Sequence, residues 1–141
     1  MEILKSYKGK KILVTGHTGF KGSWLSIWLK QLGAEVHGVS LDIPSTPAHF
    51  DVANLSCQIK DHRLDICDTE YLTLLVKKIQ PDFVFHLAAQ ALVRPSYQNP
   101  IDTFTTNAIG TINVLDALRY LKKPIVAVMI TSDKAYYNDE W

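Results

Sequence analysis

One segment near the start of the chain limits its possible folds more than any other. The apolar run Lys11–Thr15 is followed by glycines at positions 16, 19 and 22, and a helical pattern begins behind them. Strand, glycine turn and helix in this order suit a dinucleotide, because glycine lets backbone N–H groups approach a pyrophosphate at the positive end of a helix. The spacing G-x-x-G-x-x-G is a variant of the commoner G-x-G-x-x-G pattern. The predicted cofactor contacts in this turn are Gly16, Thr18, Gly19, Phe20, Lys21 and Gly22.

The helix after the glycine turn carries an aromatic residue at every fourth position, namely Phe20, Trp24 and Trp28. Helical spacing of apolar residues predicts a buried face, so we expect this stripe to pack against a sheet rather than to contact a cofactor. Gly33 is well placed to end the helix. Lys21 either pairs with the pyrophosphate or is a solvated side chain of the first turn.

Strand and helix patterns alternate along the rest of the chain. We predict strands at 35–41, 62–66, 82–87 and 124–131, helices at 69–80 and 102–121, and loops at 42–47 and 95–100. The wholly apolar last strand is typical of a parallel sheet that helices cover on both faces. Right-handed βαβ connections around a central first strand predict a doubly wound, three-layer α/β fold with strand order 3-2-1-4-5. Residues 1–141 are expected to form one Rossmann-like domain.

Composition and charge argue against several classes of protein. The chain has 15 Lys and Arg against 14 Asp and Glu, a net charge of +1 that lacks the basic surplus of nucleic-acid binders. No apolar run approaches the roughly 20 residues of a transmembrane helix, and no signal-peptide core is present. Cys57 and Cys67 lack metal-ligand spacing, which favours reduced thiols and no metal site. We therefore expect a cytoplasmic protein without membrane or nucleic-acid partners.

The choice of dinucleotide depends on the end of the second strand. Asp42 lies 20 residues after Gly22, where an acid often accepts the hydroxyls of the adenosine ribose and repels a 2′-phosphate. This position favours NAD over NADP. Asp42 could instead form the turn before Pro44, and Ser40 could occupy the deciding position.

Four segments together resemble the extended short-chain dehydrogenase/reductases, the family of NAD-dependent epimerases and dehydratases of nucleotide sugars. They are TGHTGFKGSW at 15–24, HLAAQALVRPSY at 86–97, TNAIGT at 106–111 and TSDKAYYNDEW at 131–141. Within that family, His17, Lys21 and Trp24 favour the CDP-glucose 4,6-dehydratase branch. The resemblance implies that tightly bound NAD oxidises the sugar at C4, water is eliminated across C5 and C6, and hydride returns to C6. It also implies a homo-oligomer that serves deoxysugar and lipopolysaccharide biosynthesis.

The same resemblance assigns binding roles to residues after the later strands. Gln90 and Arg94 would face the sugar nucleotide, although Arg94 could equally pair with a surface carboxylate. Further contacts to NAD would come from Asp65, Ile66, Leu87, Ala88, Ala89, Asn107 and Thr131.

Three polar residues after the last strand are the catalytic candidates that the resemblance implies. Ser132 would bond the sugar 4-hydroxyl, and Asp133 would be the general acid that protonates the departing C6 hydroxyl. Lys134 stands where dTDP-glucose dehydratases have Glu, and it could act as a base only with a strongly lowered pKa. By spacing alone the three residues could be a polar turn, but the carboxyl edge of a parallel sheet is where such folds bind ligands.

The family's Tyr-x-x-x-Lys pair, which removes the proton of the 4-hydroxyl, is expected beyond Trp141 together with the domain that binds the nucleotide. Tyr136 and Tyr137 are followed four positions later by Glu140 and Trp141. The chain is therefore predicted to be an N-terminal part that is inactive by itself. Two alternatives stay open: a dehydratase or epimerase of another nucleotide sugar, and a non-catalytic NAD-binding module.

Overall fold

The computed structural model describes residues 3–132 and residue 137, and it contains one parallel sheet of five strands. The strands are β1 Lys11–Thr15, β2 Glu35–Ser40, β3 Lys60–Arg63, β4 Phe83–His86 and β5 Val126–Met129. They pair in the order β3-β2-β1-β4-β5, and all four pairings are parallel. The predicted strand order and fold class are confirmed.

Helices connect the strands and cover both faces of the sheet. They are α1 Phe20–Gln31, α2 His49–Val52, α3 Thr69–Ile79, α4 Val93–Gln98, α5 Pro100–Phe104 and α6 Gly110–Leu118, with 3-10 turns at Ile3–Tyr7 and Leu55–Cys57. A π turn, Thr105–Ile109, joins α5 to α6 into one long helix. Gly33 ends α1 with a φ of +83°, as predicted. Asp68 caps the N-terminus of α3, because its carboxylate accepts a hydrogen bond from the N–H of Tyr71.

The core lies on both sides of the central strand β1, because successive side chains of a strand point to opposite faces. Ile12 and Val14 pack with Leu29 of α1 on one face. Leu13 packs on the other face with residues of α3, α6 and the neighbouring strands. That second cluster contains Val39, Ile66, Leu72, Val76, Ile79, Val84, Val114 and Ala117. The three layers that the sequence predicts are therefore present.

Two element predictions need correction. The third strand begins at Lys60 rather than at 62 and ends at Arg63, because the pairing with β2 aligns Lys60 with His37. The predicted loop at 95–100 is largely helical. Pro95 is the third residue of α4 and Pro100 the first of α5, and proline is tolerated there because the first N–H groups of a helix have no partner within it.

The predicted burial of the aromatic stripe on α1 is wrong. Phe20, Trp24 and Trp28 are 70%, 54% and 52% exposed. Small side chains let the opposite face of α1 approach the sheet closely, so the large rings stand on the outer face, where Trp24 stacks on His49. The residues that α1 buries are Gly22, Ser23, Ser26 and Leu29.

The last strand is also less buried than predicted. Within the described residues, Val126, Val128 and Ile130 are substantially exposed, since β5 is the edge strand of the sheet. The strand itself lies inside the predicted range 124–131. No helix in the described part of the chain is long and apolar enough to cross a membrane.

Candidate functional site

Two adjoining cavities form a cleft across the carboxyl edge of the sheet. The larger, of about 1100 Å³, lies at the ends of β1, β4 and β5, and the smaller, of about 310 Å³, lies at the ends of β1 and β2. The two cavities share Gly16, Gly19, Leu87, Ala88 and Ala89. In this strand order the chain leaves β1 toward β2 and leaves β4 toward β5 in the opposite direction, and doubly wound sheets bind their ligands at that switch point.

The glycines of the turn are needed for different reasons. A Cβ on Gly16, whose φ is +73°, would lie 2.7 Å from the backbone nitrogen of Ala88, and one on Gly22 would lie 2.1 Å from the carbonyl oxygen of Gly16. Neither position has room for a side chain. A Cβ on Gly19 would meet only the Gly16 carbonyl oxygen at 3.3 Å, so the space in front of Gly19 belongs to the cleft. The turn is thus a closely packed cradle with one open position.

His17 supports the turn from beneath and is fully buried. Its Nδ1 is 3.0 Å from Ser40 Oγ on β2, and its Nε2 is 2.8 Å from Asp61 Oδ1 on β3. Burial lowers the pKa of His17, although the nearby Asp61 carboxylate acts in the opposite direction. A Cβ on Gly38 would come within 2.3 Å of the imidazole, so the absence of a side chain there makes room for the ring. His17 therefore connects the glycine turn to β2 and β3.

The smaller cavity contains both candidates for recognition of the adenosine ribose. The hydroxyl of Thr18 donates to the carbonyl of Asp42 at 2.6 Å, which holds the end of β2 beside the glycine turn. Asp42 and Ser40 both line this cavity, together with Asp65 and Ile66. Its lining within the described residues includes two aspartates and no Lys or Arg. Such a lining suits ribose hydroxyls and opposes a 2′-phosphate.

The wall of the larger cavity is built from polar contacts between the loop after β4 and the π turn. The N–H of Gln90 donates to Asn107 Oδ1 at 2.8 Å, and Asn107 Nδ2 donates to the Gln90 carbonyl at 2.9 Å. The Gln90 side chain in turn donates to the carbonyl of Leu92 and to the hydroxyl of Thr103. Gln90 and Asn107 both line the cavity.

The remaining site residues predicted from the sequence differ in where the structure places them. Arg94 is exposed on α4 and is not part of either lining. Asp133 and Lys134 lie outside the described residues. The larger cavity is lined by Phe20, Lys21, Gly22, Thr131 and Ser132.

Sequence reasoning missed several residues of the cleft. His86, the last residue of β4, lines the larger cavity, and so does Thr111 of α6. Burial lowers the pKa of His86. The strand pattern could have pointed to His86, because a polar residue at the carboxyl end of a buried strand lies at the ligand edge. Tyr7 and Lys11 have the spacing Tyr-x-x-x-Lys, but Lys11 begins β1 and so lies at the opposite edge.

Neither of the two cysteines lines either cavity. Among residues 3–132 and residue 137, no group of three or more His, Cys, Asp or Glu side chains could hold a metal ion. Cys57 is an exposed free thiol, and Cys67 is a partly buried one. Burial raises the pKa of the Cys67 thiol, which disfavours the reactive thiolate.

Comparison with known proteins decides the family. A family model described as GDP-mannose 4,6 dehydratase matches residues 13–138. The chain belongs to the GDP-mannose 4,6 dehydratase family. This dehydratase-family chain is 47% identical over 135 residues to CDP-glucose 4,6-dehydratase of Salmonella typhimurium, a match that covers 96% of the chain and 38% of the relative. The chain therefore spans less than two fifths of the length of that curated relative.

Solved structures agree with the fold of this dehydratase-family chain. An epimerase from Methanothermobacter thermautotrophicus matches with a TM-score of 0.79 and 30% identity, over 99% of this chain and 40% of the other. UDP-glucose 4-epimerase of Thermus thermophilus, solved in complex with NAD, matches with a TM-score of 0.68 and 31% identity, over 77% of this chain and 33% of the other. The resemblance to NAD-dependent epimerases and dehydratases of nucleotide sugars is confirmed.

Proposed function

We propose that the chain is the NAD-binding part of an enzyme that converts CDP-glucose to CDP-4-keto-6-deoxyglucose. The observation that carries this proposal is the continuous cleft over the switch point, with the glycine cradle where its two cavities meet and Ser132 in the lining of the larger cavity. The 47% identity to the Salmonella CDP-glucose 4,6-dehydratase supports this substrate over GDP-mannose, because identity to the GDP-mannose 4,6-dehydratase of Vibrio cholerae is 38%.

The residues of the cleft fit NAD. The open space at Gly19 and the N-terminus of α1 would receive the pyrophosphate, and Asp42 or Ser40 would accept the adenosine ribose. Lys21 lines the larger cavity and would offset the pyrophosphate charge. Further contacts would come from Gly16, Thr18, Phe20, Gly22, Asp65, Ile66, Leu87, Ala88, Ala89, Asn107 and Thr131.

When bound, NAD would supply reversible hydride acceptance, which allows the sugar C4 to be a ketone while C5 loses its proton. Ser132 would bond the 4-hydroxyl and hold C4 in place. Asp133 would protonate the C6 hydroxyl as it leaves as water, a role that requires a carboxyl group with a raised pKa. Lys134 is the candidate for removal of the C5 proton, and Gln90 and Arg94 would contact the sugar nucleotide.

We also propose that the enzyme is a cytoplasmic homo-oligomer that supplies deoxysugars for lipopolysaccharide. A near-neutral charge balance, 15 basic against 14 acidic residues, supports a small-molecule substrate rather than nucleic acid. The proposed domain assignment is that residues 1–141 form the NAD-binding part and that the Tyr-x-x-x-Lys pair lies beyond Trp141.

A turnover assay tests the proposal. The protein in its natural length is incubated with NAD and, in parallel, CDP-glucose, dTDP-glucose, UDP-glucose and GDP-mannose, and loss of water from the sugar is followed by mass spectrometry. CDP-glucose should have the highest kcat/KM, and residues 1–141 alone should yield no product. Faster turnover of GDP-mannose would reassign the substrate. NAD binding without any turnover would instead indicate a non-catalytic module.

A further inference from the structure

We infer that His86 is a positioning residue whose neutral imidazole, protonated at Nε2, holds the wall of the larger cavity in place. The inference rests on the proposed function only for the identity of the ligands, since the contacts themselves are independent of it. His86 is 3% exposed, and it lies between β1 and α6 at the edge of the cleft.

Thr15 determines which nitrogen of His86 carries the proton. The Thr15 hydroxyl oxygen accepts the N–H of Ala88 at 3.2 Å, and it shares the N–H of Leu87, also at 3.2 Å, with the Thr15 carbonyl at 3.1 Å. The same hydroxyl oxygen lies 2.7 Å from His86 Nδ1. Both lone pairs of this oxygen are then engaged, so its single proton points to Nδ1. His86 Nδ1 is therefore an acceptor, and the ring proton is on Nε2.

Thr111 gives the same assignment from the other side of the ring. Its hydroxyl donates to the carbonyl of Asn107 at 2.7 Å, so the same oxygen must accept the Nε2 proton of His86 at 2.9 Å. A doubly protonated imidazole would add a third N–H donor at Thr15 and leave the proton of that hydroxyl without its acceptor. Burial lowers the pKa of His86 and so acts in the same direction.

The chain of hydrogen bonds continues from Thr111 into the wall of the cleft. Asn107 belongs to the π turn, and its amide bonds both the N–H and the carbonyl of Gln90. Single π turns within α-helices are frequent at functional sites. His86 thus connects β1 and the start of the loop after β4 to the π turn that clamps Gln90. Because both ring nitrogens are engaged, His86 positions these groups and does not transfer protons to a substrate.

Matched variants of Thr111 test the inference. Thr111→Val preserves the shape of the side chain but removes the hydroxyl, whereas Thr111→Ser keeps the hydroxyl. In the protein of natural length, the affinity for NAD or the kcat/KM for CDP-glucose should fall about tenfold in the Val variant. The loss follows because the buried Nε2–H of His86 would no longer have an acceptor. The Ser variant should stay within about twofold of the parent. If the Val and Ser variants bind NAD equally well and turn over CDP-glucose at equal rates, the inference is overturned.

A spectroscopic measurement decides the same point without any activity. In protein labelled with ¹⁵N histidine, His86 should show the neutral Nε2–H tautomer at pH 7, and the side-chain amide signals of Asn107 should shift in Thr111→Val but not in Thr111→Ser. An Nδ1–H tautomer or an imidazolium would overturn the inference. Failure of the parent to bind NAD would count against the proposed function and leave this measurement decisive for His86.

Discussion

The two sides of the cleft differ in how completely the described residues build them. On the β1–β2–β3 side, Val14 and Val39 are fully buried, and His17 connects the glycine turn to Asp61. On the β4–β5 side, Val126 and Val128 are substantially exposed, and the polar wall depends on a few hydrogen bonds. The comparison indicates that the β1–β2–β3 side is closely packed by the described residues alone. The β4–β5 side, by contrast, exposes apolar surface of the kind that normally packs against other protein.

The largest expected effect is the loss of NAD binding when a glycine of the turn after β1 is replaced. Gly19→Val should abolish measurable NAD binding, because the branched side chain fills the space in front of the pyrophosphate while meeting only one carbonyl oxygen of the protein at 3.3 Å. Calorimetry with NAD measures binding, and circular dichroism checks that the fold is kept. Gly22→Ala is the contrasting variant, since its Cβ would lie 2.1 Å from the Gly16 carbonyl oxygen and should destabilise the turn itself. NAD binding by Gly19→Val would refute the proposed position of the pyrophosphate.

A matched pair of valines tests the difference in burial directly. Val39→Ala in β2 should lower the free energy of unfolding of residues 1–141 by about 2 kcal/mol, because a fully buried side chain leaves a cavity. Val126→Ala in β5 should change it by less than about 0.5 kcal/mol, since that side chain is half exposed. Urea denaturation of both variants gives the two values. Similar losses would mean that β5 is as well packed as β2, and the comparison would fail.

A smaller effect, about tenfold, should appear in the choice of cofactor. NAD should bind at least about tenfold more tightly than NADP, because the adenosine cavity contains carboxylates and no described Lys or Arg. Asp42→Ser should reduce this preference, whereas Ser40→Ala should leave it largely intact if Asp42 is the deciding residue. Calorimetry with both dinucleotides measures the ratio. A preference that changes with Ser40 but not with Asp42 would assign the role to Ser40.

The smallest effect is a pH dependence of stability. Burial lowers the pKa of His17, His37, His62 and His86 below the ordinary value of 6.5. The unfolded chain then binds more protons than the folded one as the pH falls below about 6.5, so stability should be complete above this pH and decrease below it. Urea denaturation between pH 7.5 and pH 5.5 measures this window, which lies above the titration of the carboxylates. A constant or rising stability as the pH falls would contradict the burial of these imidazoles.

Local patterns in the sequence were sufficient for the strand order and the position of the cleft. The glycine turn and the stop at Gly33 depend on a few neighbouring residues, so they could be predicted directly. The register of β3 could not, because its polar residues have no apolar alternation and the strand depends on pairing with β2. The exposure of Trp24 could not either, since helical spacing shows that a stripe exists but not which face the sheet receives.

Residue types and their spacings were enough to predict the glycine turn and the alternation of strands and helices, and the resemblance of four segments indicated the family. The surroundings of two buried histidines, His17 beneath the glycine turn and His86 in the cleft, became visible only in the folded chain. His17 and His86 look alike in a sequence, but one pairs with Asp61 and Ser40, and the other lies between two threonine hydroxyls. The reason is physical: burial and hydrogen-bond direction depend on residues up to 71 positions away along the chain, such as Thr15 and His86, which only folding brings together.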